Sequence, residues 1–424
     1  MRADASGMRH TSCSDRRDNR IALCAPSPAD RAGTCAAAAI RGRPMSAPLL
    51  NGPFLRATLA NFFFFLNFAS YFLLPLFLHE LGGSEATIGA VMGTAGLASL
   101  AVLPLVGMTI DRVGRRPFLL GGALTMTAAS IGFQFVHAIG PAVFALRVLQ
   151  GVSFAAAFTA TTTFAAEFAP PARRARALGL FGLSTLLTHA IAPGLGEELA
   201  HRAGFPALFA AATVCTLVVV VIALPLPEPR HLSHATAGIQ RRLLPVHWMI
   251  AVTMTLAGMG FGTVMTFVPT YVTTHGLGRV GYFFASYTST AILTRLVGAG
   301  ASDRFGRRQV ILPALLLLGV SIFWLARVES LAMLFAAGAV FGTAQGISYP
   351  TLHAFLVDMA SEAQMGRTQA LFNGAFNLGV SGSAFAFGLV AEVYGYRTMF
   401  TLAALTPVLA AAVFLIGTQK LSAD

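Results

Sequence analysis

The sequence predicts an all-α membrane protein in which twelve transmembrane helices form two pseudo-symmetric halves of six helices each. Three observations lead to this fold class. Of the 424 residues, 55% are hydrophobic and only 11% are charged. The chain contains twelve apolar runs of about 20 residues, the length needed to cross a bilayer. Motifs from the first half of the chain return in the same order in the second half.

The low charge content separates this chain from soluble proteins, which carry roughly 25% charged residues. A soluble protein of this composition would expose many apolar side chains to water, whereas lipid removes that cost. The net charge of +12 does not indicate a nucleic-acid partner. Eight of the 29 basic residues lie in the first 44 residues, and most of the others lie in short segments between apolar runs. Such a placement is typical of topology signals.

Polar segments divide the chain into four parts. Residues 1–50 have low hydrophobicity and no sustained period, so we expect a disordered tail, with Met45 as an alternative natural start. Residues 51–224 contain the first six spans and residues 245–418 the second six. The segment 225–244, which contains three prolines and several basic residues, is the predicted cytoplasmic linker between the halves.

The twelve predicted spans follow one another with short polar gaps. Their boundaries carry the usual error of a few residues. The spans, numbered in chain order, are 54–78, 86–109, 117–137, 141–166, 175–198, 205–224, 245–272, 279–300, 309–327, 331–357, 367–391 and 397–416.

Basic residues concentrate in the loops on one side of these spans. Outside the tail, the other side carries only Arg202, Arg279, Arg327 and Arg397. Because loops rich in Arg and Lys stay in the cytoplasm, we predict a multi-pass protein of a bacterial-type inner membrane with both termini in the cytoplasm. The basic residues of the predicted cytoplasmic side are Arg112, Arg115, Arg116, Arg173, Arg174, Arg176, Arg230, Arg241, Arg242, Arg304, Arg307, Arg308, Arg367 and Lys420.

The two halves are an internal repeat at a shift of about 191–195 residues. DRVGRR at 111–116 returns as DRFGRR at 303–308, and QGVSF at 150–154 returns as QGISY at 345–349. Each half has six spans, so an axis along the membrane normal relates them. This arrangement predicts a central cavity between the halves, near the midplane, around which they rock in alternating access.

These motifs resemble those of the major facilitator superfamily over about residues 50–418. GMTIDRVGRR at 107–116 looks like the family's G-x-x-x-D-R-x-G-R-R/K signature, and AGASDRFGRR at 299–308 is a second copy that begins with Ala. RVLQG at 147–151 is similar to the R-x-x-Q-G motif of proton-coupled members. The resemblance, to bacterial proton-coupled drug and sugar efflux members in particular, implies a secondary active transporter that works as a monomer, and we expect no cofactor.

The resemblance also implies gating clusters at the cytoplasmic ends of the spans. In these clusters, acidic and basic residues of neighbouring helices pair and lock one of the two rocking states. A simpler interpretation is that the arginines only set the topology. The predicted gating residues are Gly107, Asp111, Arg112, Gly114, Arg115, Arg116, Glu167, Asp303, Arg304, Gly306, Arg307 and Asp358.

Two residues are candidates for proton coupling. Arg147 lies about six residues into span 4, where a charge is costly unless it faces a polar cavity or partner, and Gly342 occupies the repeat-equivalent position. A structural hydrogen bond or snorkelling is the alternative role. Span 1 contains no acid, so His189 in span 5 is the candidate proton carrier, because histidine titrates near neutral pH. Uniport and another coupling ion stay open. Arg295, nearer a loop, is expected to snorkel.

Polar residues on the spans that line the cavity in this family are candidate substrate contacts. Each could instead form a hydrogen bond between helices. The Phe-rich span 1 and the lack of a cavity acid suggest a neutral or weakly amphipathic substrate. The candidate contacts are Asn67, Tyr71, Tyr271, Tyr287, Gln345, Tyr349, Asn373 and Asn377.

Export is the favoured direction of transport. Pro193 and Gly196 in span 5 match part of the G-x-x-x-G-P-x-x-G-G motif that exporters resembling this chain carry. A proton-coupled importer of a sugar or organic acid and a non-transporting receptor or scaffold are the alternatives. We expect no enzyme and no metal site, because the sequence contains no H-E-x-x-H, no G-x-S-x-G, no P-loop and no CxxC spacing among its four cysteines.

Overall fold

The computed structural model describes residues 51–169, 174–228, 245–298, 301–359 and 365–421. The predicted tail 1–50 and residues 229–244 of the predicted linker lie outside these ranges. Within them the chain is helical and contains no strand, which confirms the all-α class. A short 3-10 turn, Tyr71–Leu73, joins the first two helices. The helices are Gly52–Ser70, Leu74–Glu80, Glu85–Val113, Arg115–Phe133, Pro141–Phe168, Arg174–Ala223, Pro245–Thr274, Val280–Val297, Ala301–Phe305, Arg307–Leu325, Leu331–Met359 and Met365–Leu421.

Polar caps mark where helices begin. The Asn51 side chain accepts a hydrogen bond from the Phe54 N–H at 2.8 Å and donates one to the Phe168 carbonyl oxygen at 2.8 Å. Ser84 caps the helix Glu85–Val113 in the same way. These side chains satisfy backbone N–H groups that have no partner inside the helix. Asn51 also joins the beginning of one helix to the end of another.

Two long helices are each broken by a glycine. Gly204 has φ 80° and ψ 167° within Arg174–Ala223, and Gly395 has φ 77° and ψ 168° within Met365–Leu421. A positive φ is strained for a residue with a Cβ atom, so glycine allows the chain to turn here. The two breaks are 191 residues apart, within the shift of the repeat, and lie between predicted spans 5 and 6 and predicted spans 11 and 12.

The described helices suit a bilayer. Eight of them are long and apolar enough to cross a membrane. Large apolar side chains of these helices are exposed, among them Leu195 at 69%, Val221 at 66% and Val297 at 78%. Lipid covers such a surface, which a soluble monomer would rarely present to water. The chain is therefore a multi-pass membrane protein, while the count of twelve helices stays a prediction.

The buried core is divided differently at the two ends of the molecule, which we name the Glu85 end and the Arg115 end after the residues that begin two consecutive helices. At the Glu85 end, residues of both predicted halves form one cluster, in which Phe72 of the first half stacks on Phe284 of the second with ring centroids 5.5 Å apart. At the Arg115 end, each half has its own cluster, one around Phe164 and one around Phe414. The halves therefore meet most closely at the Glu85 end.

Small residues allow the halves to approach closely there. Helix Glu85–Val113 packs against Met365–Leu421, and helix Arg174–Ala223 packs against Val280–Val297. A Cβ atom placed on Gly89 would lie only 2.1 Å from the Ala384 carbonyl oxygen. The absence of a side chain at Gly89 thus brings two backbones of opposite halves into contact.

Candidate functional site

A cavity of about 520 Å³ lies between the two halves. This volume is in the range that accommodates one small organic molecule. Both halves contribute to its wall, which combines phenylalanine rings with a few polar side chains. The polar and ionisable lining residues are Ser99, Arg147, Thr162, Thr185, His189, Thr266, Tyr287, Arg295, Gln345, Tyr349, His353, Asn373, Asn377 and Ser381.

One side of the wall is a cluster of aromatic rings from the first half. Phe65 and Phe68 come from the first helix, and Phe154 and Phe158 come from Pro141–Phe168. Their ring centroids lie 4.8 Å apart for Phe68 and Phe154 and 5.3 Å apart for Phe65 and Phe158. Rings at such distances form a continuous surface that can contact another flat ring by stacking or by its edge.

Arg147 lies in the cavity wall and is only 5% exposed. Its guanidinium donates hydrogen bonds to the Val91 carbonyl oxygen at 3.2 Å, to the Met92 carbonyl oxygen at 3.0 Å and to the Gln150 side-chain oxygen at 2.7 Å. All three acceptors are neutral. Arg147 therefore bridges two helices while its positive charge has no carboxylate among these partners.

His189 faces the second half across the cavity. Its ring nitrogen Nδ1 lies 3.4 Å from the Tyr287 hydroxyl, and its ring makes a T-shaped contact with the Phe72 ring. Arg295 lines the same cavity. The contact between His189 and Tyr287 thus joins an ionisable residue of one half to the other half.

The structure places five of the predicted substrate contacts in the wall: Tyr287, Gln345, Tyr349, Asn373 and Asn377. The other three predicted contacts, Asn67, Tyr71 and Tyr271, do not line this cavity. Asn67 donates to Ser130 and to the Ala212 carbonyl oxygen, Tyr71 also donates to Ser130, and Tyr271 donates to the Val328 carbonyl oxygen. These side chains are buried between helices, where they satisfy other polar groups.

The first predicted gating motif forms a compact charged cluster at the Arg115 end. One Arg115 guanidinium nitrogen, Nη2, lies 2.9 Å from both Asp111 Oδ1 and Glu167 Oε1. Gly114 has φ 104° at the sharp junction between two helices, which explains the glycine of the motif. Gly107 and Arg112 are exposed. Arg115 thus ties the junction to the end of helix Pro141–Phe168.

Glu228 belongs to the same cluster, although the sequence did not indicate it. Its two carboxylate oxygens accept hydrogen bonds from the backbone N–H groups of Arg115, at 2.5 Å, and Arg116, at 3.0 Å. These groups begin a helix, where a negative charge is favoured. Glu228, in the first residues of the predicted linker, therefore connects the linker to the gating motif.

The second copy of the motif repeats the main pair. Arg307 contacts Asp358 through Nε and Nη2, the latter at 3.1 Å, as Arg115 contacts Glu167. Gly306 has φ 87° at the corresponding junction. Arg304 is exposed and lies over the Phe305 ring, so Arg307 rather than Arg304 is the described partner of Asp358. The side chain of Asp303 lies outside the described residues.

At the Glu85 end, carboxylates of each half cap helices of the other half. Glu197 accepts hydrogen bonds from the N–H groups of Val280 at 2.9 Å and Gly281 at 2.7 Å. Glu392 accepts one from the Ala86 N–H at 2.9 Å. Positions 197 and 392 differ by 195, as do positions 86 and 281, so the two caps are related by the repeat. Each cap places a negative charge at a helix N-terminus, where the helix dipole favours it.

Further polar contacts join the halves at this end. Glu198 pairs with Arg279, which lies in the other half, and also with Arg202 of its own helix. The Tyr396 hydroxyl donates to Glu85. By contrast, the ion pairs described at the Arg115 end join residues of the same half. The described polar contacts, like the hydrophobic clusters, therefore join the two halves at the Glu85 end and stay within each half at the Arg115 end.

Replacing both capping carboxylates, Glu197→Ala with Glu392→Ala, is expected to open the Glu85 end more often. Each cap contributes about 1 kcal/mol, so the ratio of open to closed molecules should rise roughly 20-fold to 30-fold. The measurement is the rate at which a membrane-impermeant maleimide labels a cysteine placed at Thr266 in the cavity wall. Glu80→Ala with Glu329→Ala, two exposed acids at the same end, is the matched control. Equal labelling of both double variants would show that the caps do not hold this end closed.

The chain is similar to known transporters along almost its whole length. The family model described as Major Facilitator Superfamily matches residues 57–299 and 250–422. A curated relative, the uncharacterized MFS-type transporter YhhS of Escherichia coli (strain K12), is 24% identical over 384 residues, which cover 85% of this chain and 92% of that protein.

Solved structures share the fold. A bacterial homolog of the human lysosomal transporter Spinster, in an inward-facing and occupied conformation, has a TM-score of 0.75 at 14% identity and covers 88% of this chain and 98% of its own. The nucleoside transporter NupG has a TM-score of 0.70 at 15% identity, with coverage of 87% and 99%. At these identities the likeness shows the fold alone.

Proposed function

The chain belongs to the major facilitator superfamily, which is a family of membrane transporters and not of enzymes, and from this premise we propose that it exports a small molecule in exchange for protons by alternating access. The observation that carries the proposal is the division of the core. The halves share one cluster at the Glu85 end, have separate clusters at the Arg115 end, and enclose the cavity between them. A rocking motion needs this arrangement of one closed and one separated end.

The proposal includes the topology inferred from the sequence. Twelve spans result when the helices broken at Gly204 and Gly395 are each counted as two and when the less apolar helices Arg115–Phe133 and Val280–Val297 are included. The distribution of basic residues places the Arg115 end and both termini in the cytoplasm of a bacterial-type inner membrane. With this orientation, the structure is a state closed toward the outside, and the monomer contains the complete cavity.

Arg147 and His189 are the proposed coupling residues. Both lie in the cavity wall, and the wall contains no carboxylate among the described residues. Histidine is then the side chain best suited to gain and lose a proton there. Arg147 adds a fixed positive charge to the wall. This charge disfavours a second positive charge in the cavity, so it makes the binding of a proton and the binding of substrate depend on each other. The clusters around Arg115 and Arg307 are the proposed gates, which lock one of the two rocking states.

The proposal is tested with inverted membrane vesicles. An inside-acid pH gradient is followed with a fluorescent probe while antibiotics, dyes, sugars and organic acids are added one at a time. A substrate that is exchanged for protons dissipates the gradient in vesicles that contain the protein. Vesicles from cells without it serve as the control.

The direction of transport follows from a second arm with right-side-out vesicles and radiolabelled substrate. Accumulation in inverted but not right-side-out vesicles supports export. Accumulation in the opposite orientation would replace export by proton-coupled import. Dissipation of the gradient by no compound, together with no exchange of any labelled compound, would contradict a transport function.

A further inference from the structure

Arg295 is a charged residue of the cavity wall that the transport mechanism above does not use. It comes from helix Val280–Val297 of the second half. Its Nε atom is buried and has no hydrogen-bond partner among the described residues, and the ion pairs described for the chain do not include it. Arg295 lies in the last turn of this helix and is half-buried as a whole. A buried N–H group without an acceptor is costly, so we expect a molecule bound in the cavity to supply the acceptor.

Arg147 differs from Arg295 in its hydrogen bonds. Its Nε, Nη1 and Nη2 atoms each donate to an oxygen of the protein. The two arginines of the wall thus differ. Arg147 donates its hydrogen bonds to acceptors within the protein, whereas the Nε of Arg295 has no acceptor among the described residues. With two guanidinium groups and no carboxylate among the described lining residues, the cavity as a whole favours a negative charge.

Hydroxyl groups around Arg295 can complete an anion site. Tyr287 and Tyr349 line the same cavity as Arg295. The Tyr287 hydroxyl lies 3.4 Å from His189 Nδ1, and the Tyr349 hydroxyl makes a long hydrogen bond of 3.5 Å to Asn373 Oδ1. A guanidinium suits a carboxylate, which can accept two parallel hydrogen bonds from the arginine and a third from a hydroxyl that turns away from its present partner. Lysine, as a point charge, would offer less of this geometry.

The other side of the cavity is suited to an apolar body. The rings of Phe65, Phe68, Phe154 and Phe158 form a continuous aromatic surface in the first half, and Phe261 and Phe376 add rings from the second half. A flat ring placed against this surface gains both apolar burial and favourable ring contacts.

We propose that the substrate is an amphipathic organic anion, an aromatic carboxylate in which the carboxylate binds Arg295 and the ring lies against the phenylalanine surface. The inference rests on the proposed transport function and names the substrate class for its cavity. It differs from the neutral or weakly amphipathic substrate expected from the sequence, where Arg295 was expected to snorkel. Because Arg295 and most of the aromatic surface belong to different halves, one bound molecule contacts both.

The test uses three probes of nearly equal shape that differ in charge: naphthoate, naphthamide and naphthylmethylammonium. Binding to the purified full chain in lipid nanodiscs is measured by calorimetry for the wild type, Arg295→Gln and Arg295→Lys. Arg327→Gln is the matched control, because Arg327 is exposed, lies over the Phe323 ring and does not line the cavity. Thermal unfolding of each variant checks that it is folded.

Wild type is expected to bind naphthoate roughly 10-fold to 100-fold more tightly than naphthamide, the range for a charge-assisted hydrogen-bonded contact. Arg295→Gln should remove this preference, Arg295→Lys should restore part of it, and Arg327→Gln should leave it unchanged. An unchanged preference in folded Arg295→Gln, equal binding of the three probes, or no binding of naphthoate would overturn the proposal.

Uptake of the same labelled probes into proteoliposomes separates this proposal from the proposed function. Binding of naphthoate that depends on Arg295 but is never followed by transport would count against the transport function and leave the anion site standing. Transport of the amide at the rate of the carboxylate, unaffected by Arg295→Gln, would count against the anion site alone.

Discussion

Replacing Arg147 by alanine is expected to lower proton-driven transport at least 100-fold while substrate exchange without a proton gradient falls only a few-fold. The reason is that proton-driven transport and substrate exchange require different properties of the cavity. Net transport requires the cavity to change its proton affinity when substrate binds, whereas exchange requires only that the loaded protein rocks. Arg147 supplies a fixed charge in the wall. Its removal abolishes the change in proton affinity on substrate binding, but it does not close the cavity.

The geometry of Arg147 is also compatible with a purely structural role, in which the residue holds helices together and takes no part in proton coupling. Its bonds to the Val91 and Met92 carbonyl oxygens and to Gln150 join two helices. Each bond made by a charged donor is worth about 1.5–3 kcal/mol, but removing the arginine also removes the cost of holding a charge at membrane depth. The two effects oppose each other, so the variant should remain folded.

Two measurements on the same proteoliposomes distinguish these roles. Dissipation of an imposed pH gradient reports coupled transport, and counterflow of labelled substrate reports exchange. Arg147→Lys, which keeps the charge but cannot reach all three acceptors, should retain more coupling than Arg147→Ala, and Arg327→Ala serves as a distant control. A parallel loss of coupling, counterflow and thermal stability in Arg147→Ala would assign the residue to the structure and not to coupling.

The sequence predicted the elements of this fold better than the faces of its helices. The apolar runs predicted where the long helices lie, and the repeat led from Glu167 to Asp358 and from Gly114 to Gly306. A soluble helix shows its buried face through its apolar stripe, but a helix between lipid and protein is apolar on all sides. Polar residues of such a helix can therefore face either a cavity or a neighbouring helix, and Asn67, Tyr71 and Tyr271 proved to face neighbours.

Residues that act between distant segments were beyond sequence reasoning. Glu228 and Glu392 accept hydrogen bonds from backbone N–H groups. Every residue except proline has such a group, so the residue type does not indicate which one will be the donor. The repeat contained one usable signal, since Glu392 follows Glu197 at the shift of 195. Arg295 was visible as a single charge inside an apolar run, but its depth in the cavity depends on how the second half packs against the first.

Replacing Gly89 by leucine is expected to lower transport at least 10-fold and to leave the Glu85 end open. In the closed state a Cβ atom at this position would lie 2.1 Å from the Ala384 carbonyl oxygen and 3.2 Å from the Gly388 Cα atom. Both contacts are with backbone, so no side chain can move aside to make room. Overpacking costs about 1–3 kcal/mol or more, and the cost applies only to the state in which these helices touch.

Gly89→Ala should already have part of this effect, because the Cβ atom itself makes the close contact. Transport and maleimide labelling of a cysteine at Thr266 from the Glu85 side should therefore change together in the order wild type, alanine, leucine. Gly121→Leu is the matched control, since a Cβ atom at Gly121 meets no atom within 4 Å and the position is exposed.

The direction of the labelling change decides what the glycine does. If Gly89 only allows the helices to pack, Gly89→Leu should lower thermal stability and transport without raising labelling above that of Gly121→Leu. If closure of the Glu85 end is a step of the cycle, the folded variant should label faster, since steric conflict in one state shifts the population toward the other. Substrate binding from the Glu85 side should then persist while transport is lost, because an exporter that cannot close its outer end cannot expose the cavity to the cytoplasm, where it takes up its cargo.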